Sequence, residues 1–345
     1  GFWTMTDNKE KLIVTVTLYH RSDDPQTRIV EDDLASLQAL TPHRVVKINV
    51  ETDPILKERY YRSCPVVEVG PYLVKSPFKK TDLIATLGAT YDRLKQLHET
   101  NDKKHIKRKQ QGSRLTGFDR FSFWFSKWYM LVFNMLVLFY VGLPFLAPVL
   151  VKNGHEGAAR VIYAIYRPFC HQLAFRSWFL FGEQPYYPRE LADIPGVLTY
   201  EEVTGNDSTD LNKGREVIGN EDLGYKVALC ERDIALYGSL LLFGIVFMLT
   251  GRKIKVLPWY LWVFLGIVPI GLDGGSQLFG FFGWDLPGWM IRESTPFLRT
   301  LTGSLFGLTT AWYLYPMIEE TMRDTRVILS KKIASVNQLI QEKTS

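Results

Sequence analysis

The sequence predicts a small α/β domain over residues 11–98, followed by an all-α polytopic membrane domain with about four transmembrane helices plus an interfacial or re-entrant helix. Three observations carry that prediction. Short β-branched runs alternate with amphipathic segments in the first part of the chain, apolar stretches near bilayer length fill the rest, and Lys and Arg gather beside the ends of those stretches.

Residues 1–10 are expected to be a disordered N-terminus, and they lack the charged-then-apolar pattern of a cleavable signal. Leu12 to Tyr19 reads as a strand, Pro25 to Leu40 as a helix, Arg44 to Val50 as a second strand and Asp53 to Tyr61 as a short helix. Pro65 to Val69 and Tyr72 to Val74 form a hairpin across Gly70, and Thr81 to Leu97 closes the domain as a helix. Asp24 is placed as an N-cap, with Pro25 at the first helical position.

A basic linker spans residues 99–117, where each lysine or arginine contributes about 1 kcal/mol of attraction to an anionic leaflet. The membrane domain occupies residues 118–318. An aromatic segment from Phe118 to Trp128 anchors the first crossing at the interface. Crossings are expected near residues 128–151, 234–251, 257–272 and 295–316. The third is interrupted by Gly266, Pro269, Gly271, Gly274 and Gly275, of which Gly271, Gly274 and Gly275 suit close helix contact, and it ends on Asp273. Gly303 and Gly307 give the fourth a G-x-x-x-G spacing, read as helix packing. Phe279, Phe281, Phe282, Trp284 and Trp289 form an outer aromatic belt.

Basic residues before the first stretch, after the second and in the tail all point inward, which places both termini in the cytoplasm of a prokaryotic plasma (inner) membrane. The net charge of +5 is a topology signal of this kind rather than a nucleic-acid footprint. Residues 319–345 form a cytoplasmic helical tail with Val327, Ile333, Val336 and Ile340 on roughly one face. That face suits packing beneath the bundle, on the α/β head, or on a partner helix.

Residues 158–181 are too polar in the middle for a lipid-facing span, and residues 182–224 read as an exposed excursion with at most a short hairpin. Topology gathers Cys170, His171, Arg176, Cys230, Arg232, Asp233, Asp273, Gln277, Glu293 and Arg299 on the outer side. Ionisable groups at membrane depth pair or line a cavity, and the expected pairs are Asp273 with Arg299 and Asp233 with Arg176. Three cysteines in the whole chain permit at most one bridge. A Cys170–Cys230 disulfide would close a loop of about 60 residues, worth roughly 4 kcal/mol in the chain-entropy model. The alternatives are a zinc site built from Cys170, His171, Cys230 and Asp273, reactive thiols assisted by His171 and Arg232, or inert cysteines in a polar network. No phosphate-binding glycine loop, G-x-S-x-G or paired-carboxylate groove occurs.

Two resemblances refine this picture. The runs L-Y-H-R-S-D-D-P-Q-T and C-P-V-V-E-V in the head resemble the thioredoxin and glutaredoxin superfamily. Asp24, Pro25, Gln26 and Thr27 stand where that family carries C-P-x-C, so the resemblance implies a fold without dithiol chemistry. Pro65 falls at the family's cis-proline, with Cys64, the single thiol of the head, before it. The ordered blocks C-H-Q-L-A-F-R-S, A-L-C-E-R-D-I-A-L-Y-G, P-I-G-L-D-G-G-S-Q and R-E-S-T-P-F-L-R-T-L-T-G-S-L-F-G are similar to a prokaryotic membrane family known only as domain of unknown function 2085. That likeness implies a compact helical domain and no activity.

The leading expectation is an accessory or scaffold membrane protein, with a redox-inactive docking head and an outward polar pocket for an unidentified ligand. A membrane thiol-disulfide oxidoreductase using Cys170 and Cys230 is the runner-up, and a small-molecule or metal-binding membrane protein is the third class. The expected partners are the bilayer and a protein at the head or tail, with no nucleic acid. No cofactor is assigned beyond zinc as the minor reading.

Overall fold

The computed structural model describes residues 12–99, 114–281 and 292–344. The expected N-terminal disorder and most of the basic linker lie outside the described residues, as do the side chains of the belt at 279–289. The chain divides into two compact units, residues 1–127 with 322–345, and residues 128–321.

In the first unit, β1 (Val14–His20), α1 (Pro25–Leu37), β2 (His43–Asn49), α2 (Pro54–Tyr60), β3 (Val66–Val69), β4 (Tyr72–Lys75) and α3 (Lys80–Glu99) follow one another much as their periodicities require. The sheet order is β2-β1-β3-β4, with β1 and β2 parallel and the other pairs antiparallel. Val14, Val16 and Leu18 alternate along β1 onto one face, where Val30, Leu34 and Leu37 of α1 and Leu83 and Leu87 of α3 cover them. The opposite face buries Tyr19, Ile48, Leu56, Tyr60 and Cys64. Asp24 caps α1 by accepting from the Gln26 amide at 3.3 Å, with Pro25 opening the helix.

The second unit is built around α4 (Gly117–Lys152), whose first residues belong to the first unit. After it come α5 (Glu156–Tyr166), β5 (Ser177–Leu180), α6 (Tyr200–Thr204), α7 (Leu211–Glu216), β6 (Gly219–Asn220), β7 (Gly224–Cys230) and α8 (Glu231–Leu249). Then α9 (Trp259–Trp262) runs through a wide π turn, Val263–Ile267, into α10 (Val268–Phe281), and α11 (Pro296–Thr344) ends the chain.

Two expectations about the outer segments are corrected. Residues 158–181 are not one helix: α5 stops at Tyr166 with Arg167 as its cap, and Pro168 has no N–H to continue the helical hydrogen bonds. The supposed excursion at 182–224 is folded, with sheet order β5-β7-β6 over a core of Leu173, Phe175, Phe179, Tyr187 and Tyr200. Gly224 makes this possible, since its φ is +74° and a Cβ there would strike the Leu180 carbonyl of the neighbouring strand.

Of the four stretches expected to cross a membrane, α4 and α8 are long and apolar enough by length and composition. The third is divided by its π turn, which precedes Pro269 and the hydrogen bond a proline cannot make. The fourth lies in α11, where Arg299 and a series of threonines dilute the apolar run. Gly303 and Gly307 of α11 pack against α8: a Cβ on Gly303 would lie 2.6 Å from the Arg232 carbonyl, and one on Gly307 would strike that of Leu236. The G-x-x-x-G reading as helix packing holds. Close contact in the third stretch is confined to Gly266, against Thr309, and Gly274, against Arg232, whereas Gly271 and Gly275 face open space.

The last residues of α11 lie within the first unit and cover the second face of its sheet. Ala334 packs on the Tyr19, Tyr60 and Cys64 cluster, and Arg323 reaches Glu58 at 2.8 Å. Of the three locations open to the tail, it takes the head.

Candidate functional site

The residues expected on the outer side are gathered at the junction of β7 and α8. Cys230 is the N-cap of α8, so Glu231, Arg232 and Asp233 occupy its first turn about 100° apart and face three different neighbours. Glu231 turns inward to Arg299 at 3.2 Å, and Arg232 turns to Asp273 of α10 at 2.5 Å. Asp233, one turn from Cys230, accepts the Cys230 thiol proton at 2.9 Å.

The expected ion pairs are therefore replaced. Asp273 is held by Arg232, by Arg292 at 3.5 Å and by the Ser294 hydroxyl at 2.9 Å, not by Arg299. Arg176 does not reach Asp233; it forks onto both oxygens of Glu293, at 3.0 and 3.1 Å. Arg299, 3% exposed, is clamped between Glu231 and Glu293 and donates also to the Phe175 carbonyl. Arg189 joins Glu293 at 3.1 Å. Glu231, which the sequence marks beside Cys230, completes the polar interior together with Arg189 and the fully buried Lys226, which the sequence does not mark. A charged triplet opening an apolar helix is the signal that pointed to Glu231; a lone lysine in a β-branched run was the weaker one for Lys226.

Cys170 and Cys230 do meet. The coil after α5 brings Cys170 beneath the α8 N-terminus, and both cysteines are free thiols rather than a bridge. Each sulfur and an Asp233 oxygen lie within 4.8 Å of one another. Of the residues given as the alternative zinc set, Cys170 and Cys230 lie together with Asp233, while Asp273 pairs with Arg232 and Arg292.

The thiols open onto a cavity of about 260 Å³, whose lining includes His171, Arg176, Arg232, Gln277 and Arg299. The hydrogen bond from Cys230 pulls the Cys170 thiol below its ordinary pKa, against the opposing effect of burial. That same bond, with burial and the Asp233 carboxylate, pushes Cys230 well above its own. The two thiols are thus driven apart, Cys170 being the readier of the pair to ionise and Cys230 the one that keeps its proton.

In the head, Gln26 accepts from Ser76 and Thr27 donates to Asp24, so the turn of Asp24 to Thr27 serves as a helix cap. Cys64 precedes a cis Pro65, and burial pushes its thiol up to about 11, with Asp24 and Glu51 adding to the effect and Arg21 opposing it. Cys64 is not a thiolate at neutral pH.

A family model described as "Predicted membrane protein (DUF2085)" matches residues 223–313, the segment from β7 to the first part of α11. An uncharacterized protein of Methanocaldococcus jannaschii is 26% identical over 204 residues, which cover 56% of this chain and 95% of that protein. No solved structure matches the chain.

Proposed function

We propose that this chain is a four-helix integral membrane protein whose outward pocket carries out thiol-disulfide exchange through Cys170 and Cys230. One observation carries the reading: two cysteines 60 residues apart in sequence meet in a cavity beside Asp233, where their surroundings favour ionisation of Cys170 and oppose that of Cys230. Inert cysteines would need neither a cavity nor a carboxylate on the thiol proton.

The step balances with a disulfide as co-reactant. The Cys170 thiolate attacks one sulfur of R–S–S–R′, forming a Cys170–SR mixed disulfide and releasing R′S⁻, which takes a proton from water. Cys230 then gives its proton to Asp233 and attacks the Cys170 sulfur; the Cys170–Cys230 bond forms and RS⁻ leaves, to be protonated from Asp233. The pair loses two electrons and the substrate disulfide gains them.

Four crossings are supported by the apolar side chains that all four helical stretches turn outward, among them Phe139 on α4, Leu242 on α8, Phe264 in the π turn and Phe297 on α11. The positive loops favour cytoplasmic termini in a prokaryotic plasma membrane. The head is read as thioredoxin-like on its strand and helix order, its mixed sheet and its cis Pro65. Its docking role then operates through release of the tail that covers it.

Asp233 favours a second reading, in which Cys170, Cys230 and Asp233 hold a soft divalent ion such as zinc, with the cavity supplying a fourth, exchangeable position. One experiment separates the two. The purified full chain is treated with glutathione disulfide, its thiols are counted by mass tagging, and its metal content is measured on the same sample. Exchange is expected to leave a Cys170–Cys230 bridge in the wild type and a stable Cys170–glutathione adduct in Cys230→Ser. Stoichiometric zinc that protects both thiols would replace the first reading with the second. Thiols that stay unchanged without metal would overturn both.

A further inference from the structure

A second cavity, of about 410 Å³, lies on the other side of Gln172 from the thiol pocket. Its lining is strongly basic: Arg160 and Arg167 on or just past α5, Arg215 at the end of α7 and Lys226 in β7, against one carboxylate, Glu216. Lys226 is 1% exposed and faces backbone oxygens rather than an acid, donating to the Gln172 and Arg215 carbonyls at 2.8 Å each. An ammonium group has three donors, so one remains for a guest. Burial holds the pKa of Lys226 down to about 7, a cost that an anion in the cavity would offset.

The same short helix presents a second face. Val161 and Ile165 are exposed on it, as is Phe169, by 68%, in the turn just past its end and at the border of the thiol cavity, while Ala159, Ile162 and Tyr166 face the core. Arg160, Ala164 and Arg167 line up at helical spacing on the cavity side of the exposed surface. Lys152, the last residue of apolar α4, lies over the Phe181 ring at 4.1 Å, and α5 begins four residues later. A basic residue ending a membrane-length apolar helix marks the interface. On the reading of α4 as a membrane span, α5 lies at head-group level with an apolar stripe and a basic cavity side by side.

We infer that the Arg160, Arg167, Arg215 and Lys226 cavity binds the phosphate of an anionic phospholipid head group, while Val161, Ile165 and Phe169 rest against its acyl chains. The apolar stripe selects lipid over a soluble phosphate, and the excess of cations selects an anionic head group over a zwitterionic one.

The test uses the full chain, purified in detergent and offered mixtures of phosphatidylglycerol and phosphatidylcholine, with retained lipid measured by native mass spectrometry. The wild type is expected to retain phosphatidylglycerol preferentially. In Arg160→Gln/Arg167→Gln, which alters exposed positions only, that preference should fall on the order of tenfold. Val161→Ser/Ile165→Ser should weaken retention of the lipid without creating affinity for inorganic phosphate. Equal retention of the two lipids by the wild type, or an undiminished preference in the arginine variant, would overturn the inference. Displacement of the lipid by inorganic phosphate would overturn it too, in favour of a soluble anion. Thiol exchange at Cys170 is read independently in these samples, so failure of the lipid site and failure of the redox reading are distinguishable.

Discussion

Lys331 of the C-terminal helix sits 3.0 Å from Glu68 of β3 and over the rings of both Tyr19 and Tyr60, closing the second face of the head sheet. Burial works against the ammonium ion, but the hydrogen bond to Tyr60 and the charge of Glu68 outweigh it, so its pKa is raised. A raised lysine pKa means that this contribution is fully present below the unfolded value of about 10.4 and is lost as pH rises through the folded one. Glu68→Gln/Lys331→Met should free the tail, exposing residues 322–344 to limited proteolysis that leaves the wild type intact. An unchanged cleavage pattern would mean that Ala334 and its apolar neighbours hold the tail without the ion pair.

Covering this face also protects Cys64. With its thiol pushed up to about 11 by burial, Cys64 should react slowly with iodoacetamide at neutral pH, as should Cys230, and Cys170 should react fastest. Peptide mapping of the labelled full chain checks the order. Faster labelling of Cys64 than of Cys170 would contradict the split in ionisation on which the exchange chemistry depends.

Asp233→Asn separates the two steps of that chemistry. Removing a neighbouring anion favours the Cys170 thiolate, so initial alkylation or mixed-disulfide formation should be somewhat faster. The acceptor of the Cys230 proton is lost as well, so closure of the Cys170–Cys230 bond should slow. A variant that changed both steps in the same direction would show that Asp233 acts only on the local structure.

The head was legible because its strands and helices each have one buried face, and periods of 2 and 3.6 survive in the sequence. The meeting of Cys170 with Cys230 was legible in part; that of Cys230 with Asp233 was missed, although its i,i+3 spacing at a helix start signals it. Pairing among the arginines was not. Glu231, Arg232 and Asp233 diverge by about 100° each, so adjacent charges serve Arg299, Asp273 and Cys230 respectively. Topology could put all of these on one side of the membrane, but rotation about α8 chose the partners. The β5-β7-β6 sheet was hidden for a different reason: its strands are short, one is a two-residue bridge, and Gly182 and Gly224 look like loop punctuation while they permit backbone contact.

Arg299→Met would leave Glu231 and Glu293 buried with less compensation, and removing one partner of such a buried pair costs about 3–5 kcal/mol. Arg176 and Arg189 still hold Glu293, so the lower part of that range is expected, with most of the loss at Glu231. The restoring change is Arg299→Met/Glu231→Gln, whose denaturation midpoint should recover toward that of the wild type. A single variant as stable as the wild type would show that the clamp is dispensable.

Gly307→Ala tests the seam between α11 and α8 with one methyl group. The new Cβ would meet the Leu236 carbonyl and the Ser239 hydroxyl, so the helices must separate, at about 1–3 kcal/mol for overpacking of this kind. The control is Gly275→Ala, where a Cβ meets nothing within 4 Å and helix propensity favours alanine by up to about 1 kcal/mol. The two variants should therefore shift the thermal midpoint in detergent in opposite directions. Separation at Gly307 would be felt four residues earlier at Gly303, whose Cβ position abuts the Arg232 backbone, and through it at the Arg232–Asp273 pair beside the thiols. Gly307→Ala should accordingly also change the labelling rate of Cys170, which Gly275→Ala should leave alone. A loss of stability with unchanged Cys170 reactivity would confine the seam to a packing role.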